Sequence, residues 1–284
     1  MLAILSALFA GITSILAKCG LGKMDSTVAT ALRTIVTTIF AWLIVAISGT
    51  YVEMSDLDGR TWLFLILSGL ATGASWLCYF KALQIGDVNK VVPVDKSSTV
   101  IAILLAILLL GETLTLFGVI GVVLIFVGTM LMIERKDVQD AKVSKSSWLM
   151  FALGSAIFAA LTSILGKVGM EGIDSNLGTA IRTVVVLAMS WVMVFVSKKN
   201  VSPKSLDRRE VMFLILSGLA TGASWLCFFG ALQIGPASVI VPIDKLSILV
   251  TILFSYLVFK EVLSKKSALG LLGIIAGTLL LLVP

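Results

Sequence analysis

Eight charged side chains stand within or at the ends of otherwise apolar runs: Lys18, Arg33, Asp95 and Lys96, then Lys167, Arg182, Asp244 and Lys245. A charge at the centre of a membrane crossing costs about 2.5 to 3.5 kcal/mol on translocon-based scales, so each needs a partner or a wet cavity. Asp95 can neutralise Arg33 or Lys18 in a structural salt bridge, and a remaining long cationic stem can carry its head to the lipid headgroups. The other chemistry open to the set is recognition. Three cations with one anion leave positive charge that suits a carboxylate, a phosphate or a zwitterion, and suit a permanent organic cation less well. Two tryptophans, Trp76 and Trp225, sit deeper than an interfacial belt would place them and join the set as candidate pocket walls. These ten residues are the candidates for substrate binding or gating.

Other chemistries lack their residues. The chain has no histidine, which removes the commonest metal ligand and the usual general base near neutral pH. No phosphate-cradling GxxxxGK[ST] loop is present, so ATP-driven pumping is not encoded, and no nucleophile–base constellation marks an enzyme. No metal or cofactor is expected. Cys19, Cys78 and Cys227 lie in or beside apolar segments and read as buried thiols, not a disulfide framework.

The elements that must position these charges are written twice. FLILSGLATGASWLCYF, Phe64 to Phe80, returns as FLILSGLATGASWLCFF, Phe213 to Phe229, with one substitution. The offset of 149 residues holds without a gap: Lys18 meets Lys167, Arg33 meets Arg182, and Asp95-Lys96 meets Asp244-Lys245. Outside the charged set, Glu112 meets Glu261 in the same way. A period this long indicates a duplicated bundle, not a solenoid.

With 58% hydrophobic residues, 13% charged residues and a mean hydropathy of +1.10, the chain is not an ordinary soluble domain, which carries about 25% charged residues. It reads as an all-α integral membrane protein of ten transmembrane helices. They are placed at about 2–17, 26–48, 62–85, 91–110 and 114–133, then 148–165, 175–197, 212–234, 239–259 and 267–283. Residues 1–133 form the first five-helix repeat, 134–147 a polar hinge and 148–284 the second repeat. The first apolar run has an interior equivalent and reads as a retained helix, not a cleaved signal. Pro93 and Pro242 are expected in the first turn of their helices. Gly69-x-x-x-Gly73 is read chiefly as a helix-packing spacing, Gln84 and Gln233 as helix-end groups, and Glu112 and Glu261 as solvated turn residues.

An odd number of crossings per copy inverts the second relative to the first, so equivalent loops should differ in charge. They do: the loop after the second helix holds Glu53, Asp56 and Asp58, whereas its mate holds Lys198, Lys199, Lys204, Arg208 and Arg209. The count assigns the basic face to the cytoplasm and both termini to the outside of the cell (inner) membrane. The four charges of each copy are expected to share one layer, the two layers lying near opposite faces. The net charge of +6 resides largely in these loops, so nucleic acid is not an expected partner. The expected partners are a small-molecule substrate, the lipid bilayer and protons as coupling ion, for a monomer.

The doubled five-helix pattern, the turns Gly111-Glu112 and Lys260-Glu261, and the segments ALQIG…VVPVDK and ALQIG…IVPIDK resemble the EamA branch of the drug/metabolite transporter superfamily. The resemblance covers both copies. It implies a secondary carrier with a 5+5 inverted-repeat fold, often an exporter, in a family that moves amino acids, amines, sugar phosphates and other small metabolites. It also implies a cavity lined by helices 1, 3, 4, 6, 8 and 9, which here carry Lys18, Trp76, Asp95, Lys96, Lys167, Trp225, Asp244 and Lys245. Relatives are described with both termini in the cytoplasm, opposite to the charge count. The helix-1 glutamate of the small multidrug relatives has no counterpart in helix 1 or helix 6, against their drug–proton antiport mechanism. The expected function is export of a small anionic or zwitterionic metabolite, such as an amino acid, by alternating access. The competing reading is a lipid or lipid-headgroup flippase, which could hold a phosphate on the same cations.

Overall fold

A computed structural model describes residues 1–21, 24–85, 91, 94–132, 147–198, 207–260 and 264–283. Among them are eleven α-helices: α1 (Leu2–Leu21), α2 (Ser26–Ser48), α3 (Gly59–Ile85), α4 (Ser98–Leu110), α5 (Leu116–Met132), α6 (Ser147–Gly169), α7 (Ser175–Val196), α8 (Arg208–Ile234), α9 (Ala237–Lys245), α10 (Ser247–Phe259) and α11 (Lys265–Leu280). A short 3-10 turn, Thr50–Asp56, follows α2. Six apolar helical stretches are long enough to cross a bilayer, one of them running from α9 into α10, and Leu2–Ala17 and Leu116–Met132 are shorter apolar helices. Lipid offers no hydrogen bonds to a bare backbone, so an apolar chain of this kind must satisfy its amides within helices. Large apolar side chains accordingly line the outside, as Ile39, Leu43 and Ile47 do on α2 and Val119, Val123 and Val127 on α5. The chain is an all-helical, multi-pass membrane protein.

Helix starts follow ordinary capping chemistry. Asp25 accepts from the Thr27 amide at 2.9 Å, and its mate Asp174 accepts from Asn176 and Leu177 at 2.9 and 3.2 Å. Two expected spans are interrupted, in matching places. The ninth is broken at Leu246 between α9 and α10, and the fourth turns at Ser97 ahead of α4. Pro242 therefore lies inside α9, which begins at Ala237, and not in a first turn. Proline withholds its amide from the ladder, and the helix stops three residues later. Pro93 and most of the hinge lie outside the described residues, as do Glu261 and the side chain of Gln84.

The four most extensive helix pairings, α3 with α6, α1 with α8, α5 with α11 and α2 with α7, all join the first copy to the second. Small residues make this possible. A Cβ added at Gly69 would meet Val185 Cβ at 2.6 Å and one at Gly73 would meet Met189 Cβ at 2.4 Å, so the repeated GxxxG segment of α3 packs on α7. Its mate on α8 packs on α2 in the same way, with Gly218 against Val36 and Gly222 against Phe40. The packing reading of this motif holds. Between α5 and α11 the approach is backbone to backbone: a Cβ at Gly128 would stand 2.5 Å from the Gly270 carbonyl.

Gly128→Ala should therefore lower stability by about 1 to 3 kcal/mol, because the clash exceeds the roughly 1 kcal/mol that alanine gains over glycine in a helix. Gly59→Ala, with nothing within 4 Å, is the control and should not be destabilising. Thermal unfolding in detergent reads both. At the start of α3, hydrogen bonds from Thr61, side chain first and amide (2.7 Å) second, hold the exposed Asp58 carboxyl below its ordinary range. A depressed pKa stabilises above the unfolded value and is lost as pH falls through the folded one. Exchange protection of the Thr61 amide, corrected for intrinsic rate, should accordingly be present at neutral pH and decline below about pH 4.

Candidate substrate cavity

The first helix of each copy meets the repeated segment of the other copy through a seam of hydroxyls. Where α1 crosses α8, Ser224 donates to the Ser6 carbonyl at 3.1 Å, Ser217 to the Thr13 carbonyl at 3.0 Å, and Thr221 lies 3.4 Å from Thr13. Where α6 crosses α3, the mates repeat the seam: Ser75 to Ser155 at 3.1 Å, Ser68 to Thr162 at 2.7 Å, and Thr72 beside Thr162 at 3.2 Å. Small hydroxylated residues let the backbones approach and tie them in a medium without competing water.

Each seam ends on a carboxylate. The Ser6 hydroxyl donates to Asp244 Oδ1 at 2.6 Å, and the Ser155 hydroxyl to Asp95 Oδ1 at 2.6 Å. Both distances are in the charge-assisted range. The two acids stand where their spans break, each two residues before the turn residue, Leu246 or Ser97, with Lys245 and Lys96 between.

Between the seams lies a cavity of about 330 Å³, within the range of small-molecule sites. Matched residues of both copies line it: Ala10 with Ala159, Thr13 with Thr162, Arg33 with Arg182, Thr72 with Thr221, Ser75 with Ser224, and Trp76 with Trp225. The wall is not symmetric throughout, for Asp244 and Lys245 reach it while Asp95 and Lys96 do not.

The two arginines differ as well. Arg182, on α7, is 1% exposed; its Nε donates to Ser68 at 3.3 Å and its Nη2 to Thr72 at 2.9 Å. Phe229 and Trp225 lie over its guanidinium at 4.1 and 5.2 Å. Its Nη1 is buried without a hydrogen-bond partner. Arg33, on α2, is half-buried and has one long contact, Nη1 to Ser217 at 3.4 Å.

The charges are thus arranged otherwise than in two separate layers. Arg33 and Arg182 share one cavity, because α2 and α7 pack against each other at the contact between the copies. Trp76, Trp225, Asp244 and Lys245 join them there; Asp95 lies off the wall, held by Ser155, and Lys96 is exposed. Lys167 turns away from Asp244. Its ammonium donates to the carbonyls of Leu232 (3.0 Å) and Gly235, and stands 3.7 Å from Glu112. The Lys18 side chain lies outside the described residues. The cysteines are free and half-buried, more open than expected. Gln233 is a helix-end group that ties the α6–α7 turn, donating to Met170 and Ile173 at 2.7 and 2.6 Å. Among the described residues no three histidine, cysteine or acidic side chains gather for a metal ion.

Glu112 corrects the expectation of a solvated turn residue. It leaves the end of α4 and caps α9 of the other copy, accepting from the Ala237 and Ser238 amides at 2.6 and 2.8 Å, with its side chain 11% exposed. Its recurrence as Glu261 was the available signal; the partner helix could not be read from spacing. Ser6 and Ser155 were missed for a like reason, since a serine in an apolar helix does not reveal that an acid from another helix reaches it. Glu112→Ala strands two amides and takes the counter-charge from the Lys167 ammonium, and should cost about 1 to 3 kcal/mol. The check is thermal unfolding, with exchange protection lost first at the start of α9.

Comparison with known proteins places this geometry in a family. The model of the EamA-like transporter family matches residues 1–134 and again 146–283. A Sinorhizobium sp protein named "Uncharacterized transporter in cobO 3'region" is 48% identical over 130 residues, covering 46% of this chain and 92% of that protein. An uncharacterized protein of Methanocaldococcus jannaschii is 32% identical over 103 residues, 33% of this chain and 75% of its own. A crystal structure at 17% identity aligns over 98% of this chain and 94% of its own with a TM-score of 0.81, which speaks for the fold alone. With one family match in each copy, the chain belongs to the EamA-like transporter family, as a multi-pass membrane transporter.

Proposed function

We propose that this protein is a secondary active transporter that exports a small anionic or zwitterionic metabolite across the cell membrane by alternating access. The observation that carries the reading is the cavity wall, built from the same residue types at the same repeat positions in both copies. A site shared by two matched halves can open to either side as one half rocks on the other. In this reading the halves are five-span bundles in inverted topology, the broken fourth and ninth spans face the site, and the basic loops lie in the cytoplasm with both termini outside. Asp95 and Asp244 carry the coupling proton, each on a serine of the opposite copy.

Counterflow in proteoliposomes tests this. Vesicles loaded with an unlabelled amino acid, carboxylate or sugar phosphate should accumulate the labelled form of the solute that is carried. Arg33→Gln and Asp244→Asn should slow that uptake about tenfold or more, the loss of one charge-assisted hydrogen bond of roughly 1.5 kcal/mol. Arg60→Gln, at an exposed ion pair between the first turn of α3 and Glu171, should match the wild type. Uptake indistinguishable from protein-free vesicles for every solute class would refute the carrier reading.

A further inference from the structure

Resting on that carrier reading, we infer that the substrate is a net organic anion, a carboxylate or phosphate ester whose anionic group docks on Arg182 with Arg33 beside it, and not a zwitterion. Among the described residues four charged side chains line the cavity: Arg33, Arg182, Asp244 and Lys245. The last two answer each other. Lys245 Nζ lies 3.8 Å from Asp244 Oδ2, and the remaining oxygen, Oδ1, takes the Ser6 hydroxyl. An arriving ammonium group would find Asp244, the acidic side chain on the wall among the described residues, already engaged.

The arginines are in the opposite position. Among the described residues no acid pairs with either of them. A guanidinium carries five N–H donors; Arg182 spends its Nε and Nη2 on Ser68 and Thr72, and its Nη1 meets no acceptor at all. The rings of Phe229 and Trp225 cover its face and give its in-plane donors nothing. A buried cation without a counter-charge is heavily penalised, and a fork with unmet donors matches two oxygens of a carboxylate or phosphate. Among the described residues the wall therefore holds two uncompensated positive charges and no uncompensated negative one. The partner that completes it must bring anionic oxygens, and at about 330 Å³ it is small.

The test is a binding comparison by net charge on the purified protein. Succinate, sulfate and glycerol phosphate serve as anions, alanine as zwitterion and ethanolamine as cation, read by thermal shift and by tryptophan emission, since Trp76 and Trp225 are on the wall. At least one anion should bind with half-saturation in the millimolar range or tighter, while alanine and ethanolamine have no effect. Affinity for that anion should fall about tenfold in Arg182→Lys, which keeps the charge and loses the fork. A comparable fall is expected in Arg33→Gln, whose half-buried side chain makes misfolding a smaller concern.

Binding of alanine as tight as that of any anion, anion affinity unchanged in both variants, or no anion binding at all would each overturn the assignment. The two readings fail separately. An anion that binds through Arg182 yet is never moved in counterflow sinks the carrier and leaves the site; flux of a zwitterion without anion affinity sinks the site and leaves the carrier.

Discussion

The constraint on which this structure rests is that lipid gives helices no hydrophobic reason to associate. Association must come from close packing and from hydrogen bonds that water cannot contest. The chain meets both needs with small residues facing the opposite copy. Gly69 and Gly73 admit Val185 and Met189, Gly218 and Gly222 admit Val36 and Phe40, and glycines of α5 and α11 meet backbone to backbone. The hydroxyl seams between α1 and α8 and between α6 and α3 add the polar term. Because the strongest pairings join the copies, the cavity between the seams has walls from both, and its residues come in matched pairs.

Matched residues in unmatched surroundings are the other organising feature. Arg182 is sealed beneath Phe229 and Trp225 with two hydroxyl acceptors, whereas its mate Arg33 is half-open with one long contact. Asp244 reaches the cavity and Asp95 does not, although a serine at 2.6 Å holds each. Equivalent residues of the two copies thus stand in different surroundings. Such an arrangement, with one arginine enclosed and its mate half-open, is the asymmetry that the proposed alternation would call for.

Much of this was legible in the sequence, and the limit is physical. The doubled segment, the membrane class and the packing role of GxxxG are local or periodic properties, which residue spacing reports directly. The intramembrane charges were equally visible, because an ionised group in an apolar run has few reasons to be there. Their partners were not. Depth along a helix placed Arg33 and Arg182 near opposite faces, but lateral packing of α2 on α7 brings them to one cavity. Spacing within a repeat grouped Lys167 with Asp244, whereas the lysine answers Glu112, contributed by the other copy. The misplaced charge partners all concern contacts between copies, about which sequence separation carries no information, whereas the place of Pro242 inside α9 turned on where that helix begins.

Glu112 also shows how a surface turn can act on the cavity. Its carboxylate holds the first amides of α9, where the helix dipole favours negative charge. Asp244 sits next to the last residue of the same nine-residue helix, so at 1.5 Å per residue the two carboxylates are joined by a rod of about 13 Å. The break at Leu246 separates that rod from α10, and Pro242 has already removed one rung of its ladder. That short segment is held at one end by Glu112 and at the other by Ser6 of α1. The cap, the break and the carboxylate on the wall therefore lie along one contiguous segment, and Lys167, 3.7 Å from Glu112, links its capped end to α6.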